Sequence, residues 1–335
     1  MSNYDHSELI FYITDIIPVM QRTHSIQAHT PSRLCAPGTY DSKHKTCFKL
    51  NHLVELAGAY NRYMTKNKLI PTSRTQTGQG ETAIDTVFIK IREDKDYLLA
   101  CFRERFMSVC GSDESCWLKQ AFMNEIVGEM REEISKGTFR HEGPAKANEW
   151  LSTLDIENIM KQYESVYPHF KFYGAVPLDC DELSYCQLSQ LDFERDQHRG
   201  IEQIGIVYNH DRHNGAGSHW VALYVDMPKS EINYCDSTGR KPFDNMASLI
   251  ERFKAYCQKC GKTAVIALNT AKYQTDDSEC GVYSCNFIIR RLAGESFSNV
   301  VDNPLAFKDI NSCRNVYFSN GPSSYEPHRM CDPRL

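Results

Sequence analysis

The sequence predicts an α+β fold: a mixed central β-sheet flanked by helices, preceded by an N-terminal mostly helical extension. Three observations carry this. Hydrophobic residues make up 41% and charged residues 24% of the 335-residue chain, an ordinary globular balance that permits a real core. In the first part of the chain, apolar residues recur at helical spacing. From Pro144 onward, β-forming runs alternate with helical patterns in the order helix, strands, helix, strand, helix, which suits helices packed on a mixed sheet. The chain accordingly divides into an accessory region over residues 1–142, a larger unit over 143–320 and a tail over 321–335.

In chain order, Leu9, Ile10, Tyr12, Ile13, Ile16 and Ile17 have helical spacing. A Pro- and Gly-bearing loop covers residues 30–39. Leu53, Leu56, Ala57 and Tyr60 share one stripe and predict a helix over 50–64. Thr, Gln and Gly crowd residues 72–82, a flexible loop. A further helix is expected over 115–134, ended by Lys136-Gly137. In the second region a helix opens at Trp150 and runs to about residue 163. Strands are expected over 170–176 and 204–208. Residues 219–226 are rich in β-formers and read as a central strand, with 231–236 its hairpin partner. Residues 243–257 read as helix and 263–268 as a short apolar strand. Residues 281–292 read as an apolar helix burying Val282, Cys285, Ile288, Ile289 and Leu292. The end of the chain after Asn320 is loop-like, and no internal repeat or low-complexity tract stands out.

The net charge of −5 and the lack of any run of five Lys/Arg argue against a general nucleic-acid binder, and no clear nucleic-acid site emerges. No stretch approaches the ~18 apolar residues of a membrane span. The polar, acidic start shows no secretory signal, so a cytosolic or equivalent reducing space is expected. On that basis most of the 14 cysteines read as buried free thiols, since cysteine packs as a small hydrophobe. Cys257 and Cys260 form a CxxC pair near a helix end. Zinc would need two further ligands at sensible spacing, and none is evident. Cys110 with Cys116, and Cys180 with Cys186, give weaker signals still. No metal or other cofactor is expected.

The chemistry concentrates in three segments: Ser218-His219-Trp220, Cys235-Asp236-Ser237, and Gln274 through Glu279-Cys280-Gly281. A thiolate attacks and a thiol does not. Cys280 stands just before a predicted helix, whose N-terminus carries partial positive charge and free N–H groups. A histidine can take the thiol proton and pair with the thiolate. His219 opens one predicted strand and Asp236 ends the next, so pairing of those strands brings both to one sheet edge. There the carboxylate would fix the ring's tautomer and stabilise its charged form. Gln274 and the Cys280 main-chain N–H could serve a developing oxyanion. Gly281 suits a tight turn or a close approach of substrate backbone. Each residue alone has a bland reading as turn, packing or structural partner. Their order and separation together favour the chemical one.

His219 and Asp236 lie 17 residues apart, and Gln274 and Cys280 lie 6 apart. His-Trp, then acid-Ser, then Gln-x5-Cys-Gly resembles the adenain and SUMO-protease superfamily of cysteine peptidases, related in fold to papain. The stretch Trp150-Leu151 through Asp155-Ile156-Glu157 resembles the start of its catalytic domain. Papain-like enzymes place cysteine first, so they fit poorly. Within the superfamily, the chain is most similar to the polyprotein-processing proteases of large cytoplasmic DNA viruses. The segments Cys35-Ala36-Pro37-Gly38, Thr46-Cys47-Phe48 and Leu53 through Asn61 carry that likeness, as do Phe307-Lys308-Asp309-Ile310 and Arg314 through Phe318.

The resemblance implies Cys280 as nucleophile, His219 as general base and acid, Asp236 as orienter and Gln274 as oxyanion glutamine. It also implies Trp220, Trp150 and Glu279 along the substrate-binding surface. Trp220 has a second reading as core, because strand alternation turns it away from the side of His219. Glu279 stands where relatives often carry Asp, which leaves fine loop geometry open. The implied function is a viral endopeptidase that cuts structural precursors after small, glycine-type motifs during virion maturation, in host cytoplasm at assembly sites and in the virion. The alternatives are a peptidase removing a ubiquitin-like modifier, and an acetyltransferase or an inactive binding relative on the same scaffold.

Overall fold

The computed structural model describes residues 34–39, 46–69, 87–321 and 325–334. The helix expected from Leu9 to Ile17 and the loop over 72–82 lie outside the described residues. The chain forms two compact units, the first extending to Phe139 and the second, apart from Ala36–Gly38, from Arg140 onward.

The first unit contains α1 (Leu50–Lys66), α2 (Lys95–Cys110) and α3 (Gly128–Gly137). The expected α1 stripe buries Leu53, Leu56 and Ala57. α2 was not expected from the sequence; its N-cap Asp94 accepts a hydrogen bond from the Tyr97 N–H. The single helix expected over 115–134 is instead two 3₁₀ turns, Glu114–Lys119 and Ala121–Glu125, followed by α3. Breaking the helix lets Trp117 and Phe122 both turn inward. Trp117 stacks on Phe48 and Phe102, with ring centroids 5.5 and 5.3 Å away. Glu114, buried, receives Arg103 at 2.6 Å and Thr46 Oγ1 at 2.5 Å, so its charge is compensated.

In the second unit the helix expected to open at Trp150 starts at Thr153, as α4 (Thr153–Glu164). Ser152 is its N-cap. Ser152 Oγ accepts from the Asp155 N–H while Asp155 Oδ2 accepts from the Ser152 N–H. This reciprocal cap holds Trp150 and Leu151 outside the helix. There follow β1 (Phe170–Val176), α5 (Phe193–His198), β2 (Gln203–Asn209), β3 (Trp220–Asp226), β4 (Glu231–Cys235), α6 (Asp244–Lys259), β5 (Val265–Leu268) and α7 (Cys280–Leu292). Three short helices close the chain: α8 (Phe297–Asp302), α9 (Phe307–Ser312) and α10 (Arg314–Tyr317). The sheet order is β1-β2-β3-β4-β5. Its outer pairs are parallel and its two inner pairs antiparallel, so it is the mixed sheet expected.

β3 is buried along its whole length. Ala222 and Tyr224 face one core with α4 and α7, whereas Val221, Leu223 and Val225 face a second core with α6. That period-2 division is what a strand covered on both faces requires. Every residue of α7 is buried, Arg290 and Arg291 included. Arg291 reaches Glu231 at 2.6 Å and Asn233 at 3.1 Å, and Arg290 reaches Glu295 at 2.8 Å. These charge-assisted bonds pin the helix's C-terminal end, and its N-terminal end is thereby aimed at the edge where β3 begins.

The expectation of mostly free thiols is overturned. Cys35–Cys47, Cys110–Cys116, Cys180–Cys186 and Cys313–Cys331 form disulfides, leaving six free cysteines, among them Cys280. Spacing alone gives no connectivity. Cys313 and Cys331, 18 residues apart, meet only because the tail returns onto α9 and α10. The CxxC pair is unbridged, with Cys257 buried and Cys260 exposed at the end of α6.

Candidate active site

The sheet positions the imidazole and the carboxylate. β3 and β4 pair antiparallel with Ala222 opposite Cys235, so the residue before one strand and the residue after the other reach the same edge. His219 Nε2 lies 2.8 Å from Asp236 Oδ1. The same oxygen accepts from the Thr238 N–H at 2.7 Å and from Thr238 Oγ1 at 2.8 Å. A turn closed by the Gly239 N–H on the Asp236 carbonyl makes this possible. Gly239 has φ of +72°, and a Cβ there would stand 2.9 Å from Thr270 O.

Cys280 is the first residue of α7 and is 3% exposed. Its sulfur lies near enough to the His219 ring to raise the ring's pKa, while Asp236 holds the same ring through Nε2. Burial disfavours the imidazolium, but the Asp236 hydrogen bond and the Cys280 thiol together outweigh it and raise the His219 pKa to about 9. For Asp236, burial pushes the carboxyl up, and the bonds from His219 and Thr238 pull it below its ordinary value.

The loop before Cys280 is held by Asp276, whose Oδ1 accepts the Ser278 and Glu279 N–H groups at 2.8 and 2.7 Å. Gln274 is buried beside it. Its Oε1 accepts from Ser237 Oγ. Its Nε2 donates to the Asp276 carbonyl at 2.9 Å and reaches Asp276 Oδ1 at 3.4 Å. The Tyr273 and Gln274 N–H groups both bond the Ser237 carbonyl at 3.0 Å, which ties this loop to the turn after Asp236.

Trp220 opens β3 and is buried, in line with its reading as core. The Trp220 ring joins the core that holds Cys280, and its Nε1 donates to the Leu151 carbonyl at 2.9 Å. Gly281 answers a packing need rather than a turn: a Cβ there would stand 3.0 Å from Leu151 Cβ. Trp150, beside Leu151, remains 49% exposed.

Glu279 departs from its expected place on the substrate-binding surface. It is fully buried and paired with fully buried Arg314, whose Nε lies 3.1 Å from Oε2. Asn311 Nδ2 adds a bond at 3.0 Å, and Arg314 Nη2 also donates to the Glu149 carbonyl at 2.7 Å. Glu279 therefore braces the loop before Cys280 from within, against α9, α10 and the segment leading to Trp150. Burial raises its pKa, and Arg314 opposes that rise. Nothing in local sequence links positions 279 and 314. His210 went equally unnoticed. It lies against the same carboxylate, its Nε2 4.0 Å from Asp236 Oδ2.

A thiol on a helix N-terminus, sharing an imidazole with a buried carboxylate, is equipped for nucleophilic attack on a carbonyl. The class to which this fold and chemistry point is the cysteine-type peptidase, a hydrolase. Comparison with known proteins makes it specific. Residues 210–320 match the C-terminal catalytic domain of the Ulp1 protease family. Over 301 residues the chain is 50% identical to a protein of Acanthamoeba polyphaga mimivirus provisionally named a thiol protease, covering 90% of this chain and 98% of that one. The chain belongs to the Ulp1 protease family. A cysteine protease of African swine fever virus is 25% identical over 239 residues, covering 66% of this chain and 87% of its own length. The crystal structure of an African swine fever virus protease shares the fold, with a TM-score of 0.54 at 18% identity over 85% of this chain and 95% of that one.

Proposed function

We propose that this chain is a viral endopeptidase that cleaves structural precursor proteins after small, glycine-type motifs through a thioester on Cys280. The observation that carries this reading is the His219 ring, bonded to Asp236 through Nε2 and raised in pKa by both Asp236 and Cys280. In the proposed sequence the Cys280 thiolate attacks the scissile carbonyl, and the His219 imidazolium gives its proton to the departing amine. His219 then takes a proton from water, whose oxygen attacks the thioester. The C–S bond breaks, the carboxyl product leaves and the thiolate returns. Asp236 holds the ring's tautomer throughout. Gln274 Nε2 and the Cys280 N–H stabilise the oxyanion. Gln274 lies buried in the loop that leads to Cys280 and is tied to the turn after Asp236, which supports its place beside the reacting carbonyl.

Trp220 and exposed Trp150 flank Leu151, which packs against Gly281 beside Cys280, and this supports a narrow aromatic-lined approach for an extended peptide. The proposal places that action in host cytoplasm at assembly sites and in the virion. No helix among the described residues is long and apolar enough to cross a membrane.

The test compares the intact enzyme with Cys280→Ala and His219→Ala on a library of precursor peptides containing Gly-Gly, beside a folded ubiquitin-like modifier joined through a Gly-Gly tail. Cleavage of peptides by the intact enzyme alone is expected. Turnover surviving either substitution would refute the assignment, and strong preference for the modifier would select deconjugation.

A further inference from the structure

Two buried polar atoms beside Asp236 face each other without partners: His210 Nε2 and Asp236 Oδ2, 4.0 Å apart. The ladder produces this. Asn209 pairs with Trp220, and the His210 N–H donates to the His219 carbonyl at 2.9 Å, so the two histidines are cross-strand neighbours just beyond β2 and β3. Their rings meet edge to face at 4.7 Å. Phe243 meets the His210 ring at 4.3 Å, and the side chain is 6% exposed. Packing thus fixes the ring plane.

The tautomer follows from Arg240, whose Nη1 faces His210 Nδ1 at 3.4 Å. A guanidinium only donates, so Nδ1 presents a lone pair and the neutral ring's hydrogen sits on Nε2. That hydrogen is aimed at Asp236 Oδ2. Meanwhile the bonds from His219 and Thr238 all fall on Oδ1, which leaves the carboxylate anchored through one oxygen. Burial, then the neighbouring His219, hold the His210 pKa down to about 4; Asp236 and Asp211 oppose this and Arg240 adds to it. The ring is therefore neutral at physiological pH.

We propose that His210 is a positioning residue for the peptidase reaction, donating from Nε2–H to Asp236 Oδ2 directly or through one water, and so fixing the carboxylate that orients His219. Closing the gap to hydrogen-bond distance takes a shift of ~1 Å, and a bridging water needs less. The inference rests on the roles proposed above for His219 and Asp236. The same atoms would also suit a divalent metal, since His210, His219 and Asp236 offer ligand atoms within 4.8 Å of one another. The Arg240 charge and the hydrogen on Nε2 count against a cation there.

The test measures kcat and KM on a glycine-containing peptide for His210→Phe, His210→Gln and Arg240→Met. Phenylalanine keeps the ring against Phe243 and removes the donor, whereas glutamine restores an N–H near Nε2. A lost bond to a charged group predicts a kcat lower by about tenfold or more in His210→Phe, with KM within about twofold, and most of kcat regained in His210→Gln. Arg240 is exposed, so Arg240→Met should fold normally and lower kcat several-fold by freeing the tautomer. A His210→Phe kcat within about twofold of the native value, or a Gln variant no better than Phe, would overturn the inference. Should His210→Phe fail to fold, an unchanged kcat in Arg240→Met would do the same. Zinc binding to Cys280→Ala, measured by calorimetry and abolished by adding His210→Phe, would overturn it in favour of a metal site. If Cys280→Ala is inactive while His210→Phe is fully active, only this inference fails; if Cys280→Ala stays active, the proposed function fails first.

Discussion

Replacing Arg314 with methionine should loosen the loop before Cys280 without touching Cys280, His219 or Asp236. Glu279, immediately before Cys280, is fully buried, as is Arg314. Arg314 Nε lies 3.3 and 3.1 Å from the two carboxylate oxygens, and its Nη2 lies 3.1 Å from Oε1. Once the guanidinium is gone, only Asn311 at 3.0 Å and Ser278 at 3.2 Å remain on that carboxylate. Leaving one partner of a buried ion pair uncompensated costs about 3–5 kcal/mol. That is a large share of the roughly 5–15 kcal/mol that holds a domain folded. The bond to the Glu149 carbonyl is lost as well, so the segment carrying Trp150 loosens together with the loop. Urea unfolding followed by tryptophan fluorescence, beside peptide turnover, measures both effects. The double variant Glu279→Leu/Arg314→Met should lose far less than the single, because an apolar pair leaves no buried charge. The sign with pH is also fixed. Without Arg314 the buried carboxyl titrates higher still, so the single variant's deficit is greatest at neutral pH and shrinks as acid protonates Glu279. A single variant within about 0.5 kcal/mol of the native protein, with full turnover, would refute the reasoning.

Gln274→Ala should lower kcat by roughly 10²–10³ while leaving KM nearly unchanged, because a donor to the oxyanion acts only in the transition state. A variant altered only in KM would contradict that role. The pH profile of kcat/KM should fall as pH rises through about 9, where His219 loses the proton it gives to the leaving amine. In Cys280→Ala the histidine loses one of the groups that raise it, so its NMR titration should move to lower pH, and an unmoved midpoint would show that thiol and ring do not interact. The stabilisation His219 gains in the fold is complete below its ordinary value near 6.5 and is lost as pH climbs through about 9.

Much of this protein was legible in the chain because the signals are local. The β-forming residues of 219–226, with 231–236 as hairpin partner, produced β3 and β4, and the apolar face of residues 281–292 produced α7. The set His219, Asp236, Gln274 and Cys280 was nameable because residue type, order and separation are sequence properties. Boundaries were less legible. Trp150 and Leu151 look helical, and only the reciprocal cap of Ser152 with Asp155 expels them. The 115–134 stretch has a helical composition that yields to the aromatic core around Trp117.

Chain chemistry by itself determined which groups could react: one thiol before an apolar helix, one imidazole before a strand, one carboxylate after the next. Tertiary structure decided which of them meet, and which of the remaining charges support them. Glu279 finds Arg314 across 35 residues, and His210 faces Asp236 through strand register. The cysteines pair by where the backbone returns rather than by spacing. Such partnerships depend on distances in the fold, and a linear order of residues does not encode distance until packing and hydrogen-bond ladders have fixed it.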